Sequence, residues 1–119
     1  GPGFLSCAIL AINNLRDIEG DRKVGKMTLA VRFGKDFAKN EYLFCMLAAV
    51  ISPFLVFIVT EDHNGMLIAS FIGLFAIDII RCVMTATEPE LLNKALGLTG
   101  QMLVIYSILF SIGWVLCSR

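Results

Sequence analysis

The stretch "YLFCMLAAVISPFLVFIVT", Tyr42 to Thr60, carries no charge, and its polar residues are Ser52 and the terminal Thr60. A helix needs about 20 apolar residues to cross the hydrocarbon core of a bilayer, so this run is long enough. A buried helix of a soluble bundle would keep a polar face, and this run has none. Pro53 sits inside it, where a membrane helix tolerates proline and a kink is predicted. Two further apolar runs follow. One extends from Met66 to Met84, interrupted by Asp78 and Arg81; the other runs from Met102 to Cys117, with Leu96 to Thr99 before it. Neither alternates with a period of two, so strands are a poor reading. The predicted class is all-α, with membrane helices over about 41–60, 65–84 and 100–117.

Charge then orients these spans. The chain is only 17% charged, and seven of its ten Lys and Arg lie between Arg16 and Lys39. Such a basic segment beside apolar ones argues for a lipid bilayer as partner rather than nucleic acid, and for a cytoplasmic segment 16–39 in the cell membrane. The 61–65 turn, with His63 solvated, then faces outward, Arg81 and Lys94 return inside, and Arg119 ends outside. The second inner segment, "TATEPELLNKALGLTG", is predicted to carry a short helix of its own over Pro89 to Leu96. The four Cys, at 7, 45, 82 and 117, show no metal-binding spacing and sit in or beside apolar runs, where Cys is a small buried residue. The chain shows no secretory leader. Its first apolar run, Phe4 to Ile12, is too short to span and looks like the cut end of a longer helix, 4–14.

Between that end and the long run lies "NNLRDIEGDRKVGKMTLAVRFG". Asn13, Asp17 and Asp21 are spaced by four, which places them on one stripe of a helix. Two carboxylates and an amide oxygen are hard ligands that suit Mg²⁺, a cation commonly held by one or two carboxylates plus phosphate oxygens. Arg22 and Lys26, also four apart, fit a ligand with several negative charges. The plainer alternative is a solvated cytoplasmic helix end. Gly25 is predicted to permit a sharp turn before Lys26. Thr28 is placed to cap a helix over Leu29 to Phe33 that stops at Gly34, and Asp36 to cap the next. "GDRKVGKMT" nearly matches a nucleotide-binding P-loop, but Met27 stands where Ser or Thr should hold Mg²⁺, and no strand precedes it. Asp78 is an ionisable residue within a span, hence a candidate functional group; Arg81, three residues on, is its nearest structural partner. Tyr106 and Trp114 are read as cavity or interface aromatics, Trp114 in the outer belt.

The same string, over roughly residues 10 to 34, resembles the second aspartate-rich motif of the UbiA superfamily of membrane prenyltransferases. The Asn-Asn-x-Arg-Asp opening and the Gly-Lys-x-Thr-Leu-Ala close are most similar to its menaquinone branch, the 1,4-dihydroxy-2-naphthoate polyprenyltransferases. The resemblance implies nine membrane helices around a cavity, with residues 4–14 ending the sixth and the three later runs forming the seventh to ninth. It implies Asp17 and Asp21 as metal ligands with Asn13 beside them, Mg²⁺ as cofactor, and Lys26 and Arg22 on the diphosphate. The implied substrates are a polyprenyl diphosphate and 1,4-dihydroxy-2-naphthoate; 4-hydroxybenzoate or haem-pathway chemistry is the competitor within the superfamily. Outside it, a transporter fragment or a membrane-anchored interaction protein would also show three spans. The first aspartate motif of such enzymes is absent, so the chain looks like their C-terminal third, lacking its N-terminal partner segment and expected to be inactive alone.

Overall fold

The computed structural model describes residues 1–61 and 64–117; Asp62, His63, Ser118 and Arg119, with the expectations placed on His63 and Arg119, lie outside the described residues. Every regular element is helical. Helix α1 covers Pro2–Arg16, α2 Ile18–Lys23, α3 Leu29–Phe33 and α4 Lys35–Thr60. A 3₁₀ helix over Asn64–Ile72 leads into α5, Gly73–Thr85, and α6 covers Pro89–Cys117. Three helical stretches, Lys35–Thr60, Leu67–Thr85 and Pro89–Cys117, are long and apolar enough to cross a membrane. Their outward residues are as apolar as their inward ones: Phe44, Val59, Phe75 and Leu116 are all at least two-thirds exposed. That is the surface of a helix bundle meant for lipid rather than water.

Helix α4 packs against α1, α5 and the 3₁₀ helix, while α6 packs mainly on the 3₁₀ helix, α1 and α5 and reaches α4 through long side chains. Lipid supplies no hydrophobic drive between helices, so close packing and polar contacts must hold them. Small residues permit the approach: Ala8 and Ala11 on α1, Ala38 and Ala49 on α4, and Ala95 on α6 are all buried. Two buried polar contacts tie α4 to α6. Tyr42 hydroxyl lies 2.9 Å from Thr99 Oγ1, and Tyr106 hydroxyl donates to the Ala49 carbonyl at 2.8 Å. The second contact has a specific cause. Pro53 has no N–H, so the carbonyl four residues earlier, that of Ala49, loses its helical partner. Tyr106 replaces that donor from another helix, and Ser52 Oγ lies 2.9 Å from both the Ala49 carbonyl and the Tyr106 hydroxyl. Two hydroxyl protons thus serve three oxygens. Tyr106 is therefore a core strut rather than a cavity or interface aromatic, whereas Trp114 near the far end of α6 remains partly exposed.

Four expected boundaries change. The second span is not one α-helix over 65–84. It begins as 3₁₀ helix and becomes α-helical only at Gly73. A β-carbon added at Gly73 would stand 2.9 Å from the Val50 side chain, and Ser70 Oγ donates to the Val50 carbonyl at 3.3 Å. The segment is pressed between α4 and α6, and a 3₁₀ helix, rising about 2.0 Å per residue against 1.5, carries the chain further per residue. The predicted short helix at Pro89 and the span over 100–117 are one helix, since Gly97 and Gly100 cost a helix only about 1 kcal/mol each. Within the 15–40 motif loop between spans lie α2 and the expected α3, and α4 begins at Lys35 rather than near residue 41. The cap of α4 is Gly34, at φ +92°, with Asp36 in the first turn and making no cap bond.

Tyr106→Phe is expected to lower stability in detergent by about 1 kcal/mol, the net worth of one hydrogen bond. The loss should shrink in a Pro53→Ala background, where the helix regains a donor for the same carbonyl. Melting curves of both single variants and the double variant measure this coupling. Equal losses in the two backgrounds would show that Tyr106 serves some other group.

Candidate functional site at the Asp17–Lys26 turn

Helix α1 does not run straight through the acidic motif. It ends at Arg16, and Asp17 sits at the junction with φ −93° and ψ 7° before α2 begins at Ile18. The four-residue ladder nevertheless survives, because Asp17 N–H donates to Asn13 O at 3.0 Å and Asp21 N–H to Asp17 O at 2.8 Å. Asn13, Asp17 and Asp21 therefore remain one turn apart along the bend. Helix α2 ends at Lys23, and Gly25 at φ +74° reverses the chain, a conformation that favours glycine. This turn brings Lys26 N–H back to Asp21 O at 2.9 Å and Lys26 Nζ to within 3.8 Å of Asp21 Oδ1. Beyond it, Thr28 Oγ1 accepts from Val31 N–H at 3.2 Å and caps α3, which stops at Gly34 as its sequence predicts. The segment is a folded turn, not a slack linker.

Both carboxylates already have cationic company. Arg16 clasps Asp17 with Nε on Oδ1 at 2.9 Å and Nη2 on Oδ2 at 3.0 Å. That hydrogen bond is the main reason the Asp17 carboxyl is held below its ordinary range, and the Arg16 guanidinium is raised in return. Arg16 Nη1 also donates to Asn93 Oδ1 on α6 at 2.8 Å. Arg22 is exposed and pairs with neither Glu19 nor Asp36; Glu19 lies instead 3.9 Å from Lys35. Lys39, near the start of α4, donates to the Met84 and Ala86 carbonyls at 3.0 and 3.2 Å and so closes the C-terminal end of α5.

The donor chemistry of Asn13, Asp17 and Asp21 fits a hard divalent cation of the Mg²⁺ kind. Each Asp17 oxygen keeps a lone pair beside its bond to Arg16. No three His, Cys, Asp or Glu gather into a metal-holding group among the described residues. A cation of that kind commonly takes one or two carboxylates and completes its shell with phosphate oxygens and water.

Asp78 lies apart from this site. No ion pair joins it to Arg81, contrary to the structural pairing expected from their spacing. It lines a cleft of about 590 Å³ between α5 and α6 with Gln101, among Phe71, Phe75, Met102 and Ile105. A three-residue offset allows contact on a helix, but Asp78 is exposed at the rim of this cleft and forms no ion pair with Arg81. All four Cys are free.

A family model described as "UbiA prenyltransferase family" matches residues 2–108. The chain belongs to the UbiA prenyltransferase family. Three 1,4-dihydroxy-2-naphthoate octaprenyltransferases are similar to it. That of Haemophilus influenzae is 34% identical over 95% of this chain and 37% of its own length. The Escherichia coli protein is 32% identical over 93% of this chain and 36% of its own, and the Mycobacterium tuberculosis protein 35% identical over 89% and 35%. The chain thus spans little more than a third of the relatives it matches. No solved structure matches it. Family and spans together make this part of an integral membrane protein.

Sequence spacing brought the ladder, the Gly25 turn and the Thr28 cap into view. It missed Arg16, Asn93 and Lys39. Adjacent residues on a helix do not face each other, so Arg16 reaches Asp17 only because the helix breaks there. Asn93 is 77 residues from Arg16, a contact that exists only after folding.

Thr28→Ala is expected to cost α3 about 1 kcal/mol of local stability, while Thr28→Ser keeps the accepting oxygen. Limited trypsin cleavage at Arg32 and Lys35 of the membrane-embedded protein should speed up for the first and not the second. Equal rates for both would remove the cap from any role in holding the turn closed.

Proposed function

We propose that this chain is the C-terminal portion of an aromatic polyprenyltransferase that moves a polyprenyl group from its diphosphate to 1,4-dihydroxy-2-naphthoate, with Mg²⁺ as cofactor. The observation that carries the reading is the turn itself. Two carboxylates one helical turn apart are held by backbone hydrogen bonds, with Lys26 folded back beside them by Gly25. The names of the relatives supply the acceptor; 4-hydroxybenzoate or a haem precursor would use the same turn.

In this reading Asp17 and Asp21 hold the metal and Asn13 supports them. Lys26 and Arg22, both exposed, reach terminal diphosphate oxygens. When bound, Mg²⁺ neutralises charge on the diphosphate as it leaves. The allylic C–O bond breaks with its electron pair going to diphosphate, leaving a prenyl cation. The ring carbon bearing the carboxylate forms the new C–C bond, and that carboxylate departs as carbon dioxide. Lys26 and Arg22 are aimed where negative charge grows, which is the useful place for a preorganised cation. Apolar helix walls keep water from the prenyl cation, and the prenyl tail belongs among lipid-facing helices. The missing part of the enzyme would bring the first aspartate motif, so the chain alone is expected to be inactive. The turn faces the cytoplasm, by the Lys and Arg excess over 16–39, and the host membrane is the cell membrane.

In the full-length enzyme, Asp17→Asn or Asp21→Asn should lower turnover by about 10²-fold or more, with smaller effects on substrate affinity. Excess Mg²⁺ should recover part of the loss. Lys26→Met should instead weaken prenyl diphosphate binding and gain little from Mg²⁺. Initial rates over a grid of Mg²⁺ and prenyl diphosphate separate these. Wild-type turnover of both Asp variants at limiting Mg²⁺ would remove the metal assignment.

Orientation has its own check. In a variant stripped of native Cys, Lys23→Cys should resist a membrane-impermeant thiol reagent in intact cells and react after permeabilisation. Labelling in intact cells would invert the topology.

A further inference from the structure

We infer that Arg16 and Asn93 are positioning residues for Asp17, so that the C-terminal helix α6 takes part in setting the metal site. The inference rests on the reading of Asp17 as a metal ligand and adds residues that reading does not assign.

Asp17 needs such help. It sits outside regular helix at the α1–α2 junction, with its side chain about half exposed, so local backbone structure does little to fix its rotamer. The Arg16 fork fixes it by two parallel bonds, one to each carboxylate oxygen. A fork of this kind sets both the position and the plane of the carboxylate, which a lysine cannot do. Each oxygen retains a lone pair for a cation. Arg16 has one more terminal nitrogen, and it is spent on Asn93 Oδ1. A guanidinium has donors only, so the Asn93 amide must present its oxygen here. Asn93 lies in the second turn of α6, a helix held to α4 by the Tyr42–Thr99 and Tyr106–Ala49 contacts. The rigid bundle thus reaches Asp17 in two steps, through an amide and a guanidinium. Hydrogen bonds to a metal-binding carboxylate commonly govern metal affinity by 10- to 100-fold.

The test uses the full-length enzyme in membranes, with Mg²⁺ as the probe. Two readouts are taken: the Mg²⁺ concentration giving half-maximal rate, and the Mg²⁺-dependent rise in melting temperature without substrate. Asn93→Ala should raise the half-maximal Mg²⁺ about 10-fold and shift the melting response to higher Mg²⁺ in parallel. The KM for the aromatic acceptor should stay put. Arg16→Gln should do the same or more, and adding Asn93→Ala to it should change nothing further, because the amide acts only through the guanidinium. Asn93→Asp retains an accepting oxygen and should lie near wild type, which separates loss of the contact from loss of the fold. Unchanged Mg²⁺ dependence in Asn93→Ala and Arg16→Gln, while Asp17→Asn still shifts it, would overturn the positioning role alone. Additive effects of Arg16→Gln and Asn93→Ala would overturn it too. An Asp17→Asn enzyme with unaltered Mg²⁺ dependence would overturn the metal reading, and this inference with it.

Discussion

A backbone carbonyl in a lipid-facing helix must find a donor within the protein, because no water is there to supply one. Pro53 creates such a carbonyl at Ala49, within the long helix that packs against α1, α5 and the 3₁₀ helix. The answer comes from α6, through Tyr106, with Ser52 of the same helix alongside. One missing N–H thereby prescribes which face of α6 must meet α4 and at what height. The Tyr42–Thr99 contact, two turns of α6 nearer the cytoplasmic end in the proposed topology, repeats the constraint. Two polar contacts thus set the register of α6 relative to α4. The closest approach is between α4 and α1, both of which carry buried alanines.

The polar end of the bundle inherits that registration. Lys39 continues α4 into contact with the end of α5, and Asn93 continues α6 into contact with Arg16. The acidic turn is therefore anchored from two sides, by its own backbone ladder and by the bundle below it. Its three chain-reversing devices act in sequence. The break at Asp17 tips α2, Gly25 folds Lys26 back, and Gly34 separates α3 from α4. At Gly25 a continuous helix would have carried Lys26 away from Asp21, whereas the turn returns it to within 3.8 Å.

What could be read in the sequence follows from how local its cause is. The long run at Tyr42 to Thr60, the four-residue ladder, the Gly25 turn and the Thr28 cap all depend on residues within one or two turns, and each has a compositional or periodic signature. The 3₁₀ start of the second span does not. Nothing in "NGMLIASFI" forbids an α-helix, and its conformation accompanies the close approach of Gly73 and Ser70 to Val50 on another helix. The merging of Pro89 to Leu96 with the last span was obscured by Gly97 and Gly100, which read as breakers but sit in a helix whose tertiary contacts outweigh their small cost. Asp78 was paired with Arg81 because spacing permits it, yet no ion pair forms and Asp78 lines the α5–α6 cleft. Spacing lists the neighbours a residue can have; packing chooses among them.

The charges of the acidic turn are balanced before any ligand arrives. Arg16 holds Asp17, and Lys26 stands near Asp21. The second pair is loose, with Lys26 well exposed, so solvent screens it and its strength is small. The first is a tight fork and persists more readily. This asymmetry bears on what the proposed site would accept. A bare cation would use the lone pairs the paired carboxylates retain, and a bare diphosphate would meet carboxylates as well as cations. A metal–diphosphate complex carries both signs at once. It lets the carboxylates face metal and frees Lys26 for phosphate, exchanging partners without leaving any charge unpaired. The exchange draws on the weak Lys26 pair and leaves the Arg16 fork in place, so one carboxylate stays oriented while the other changes partner. In the proposed reading, the loose Lys26 pair is the one free to exchange Asp21 for a phosphate oxygen while the Arg16 fork keeps Asp17 oriented.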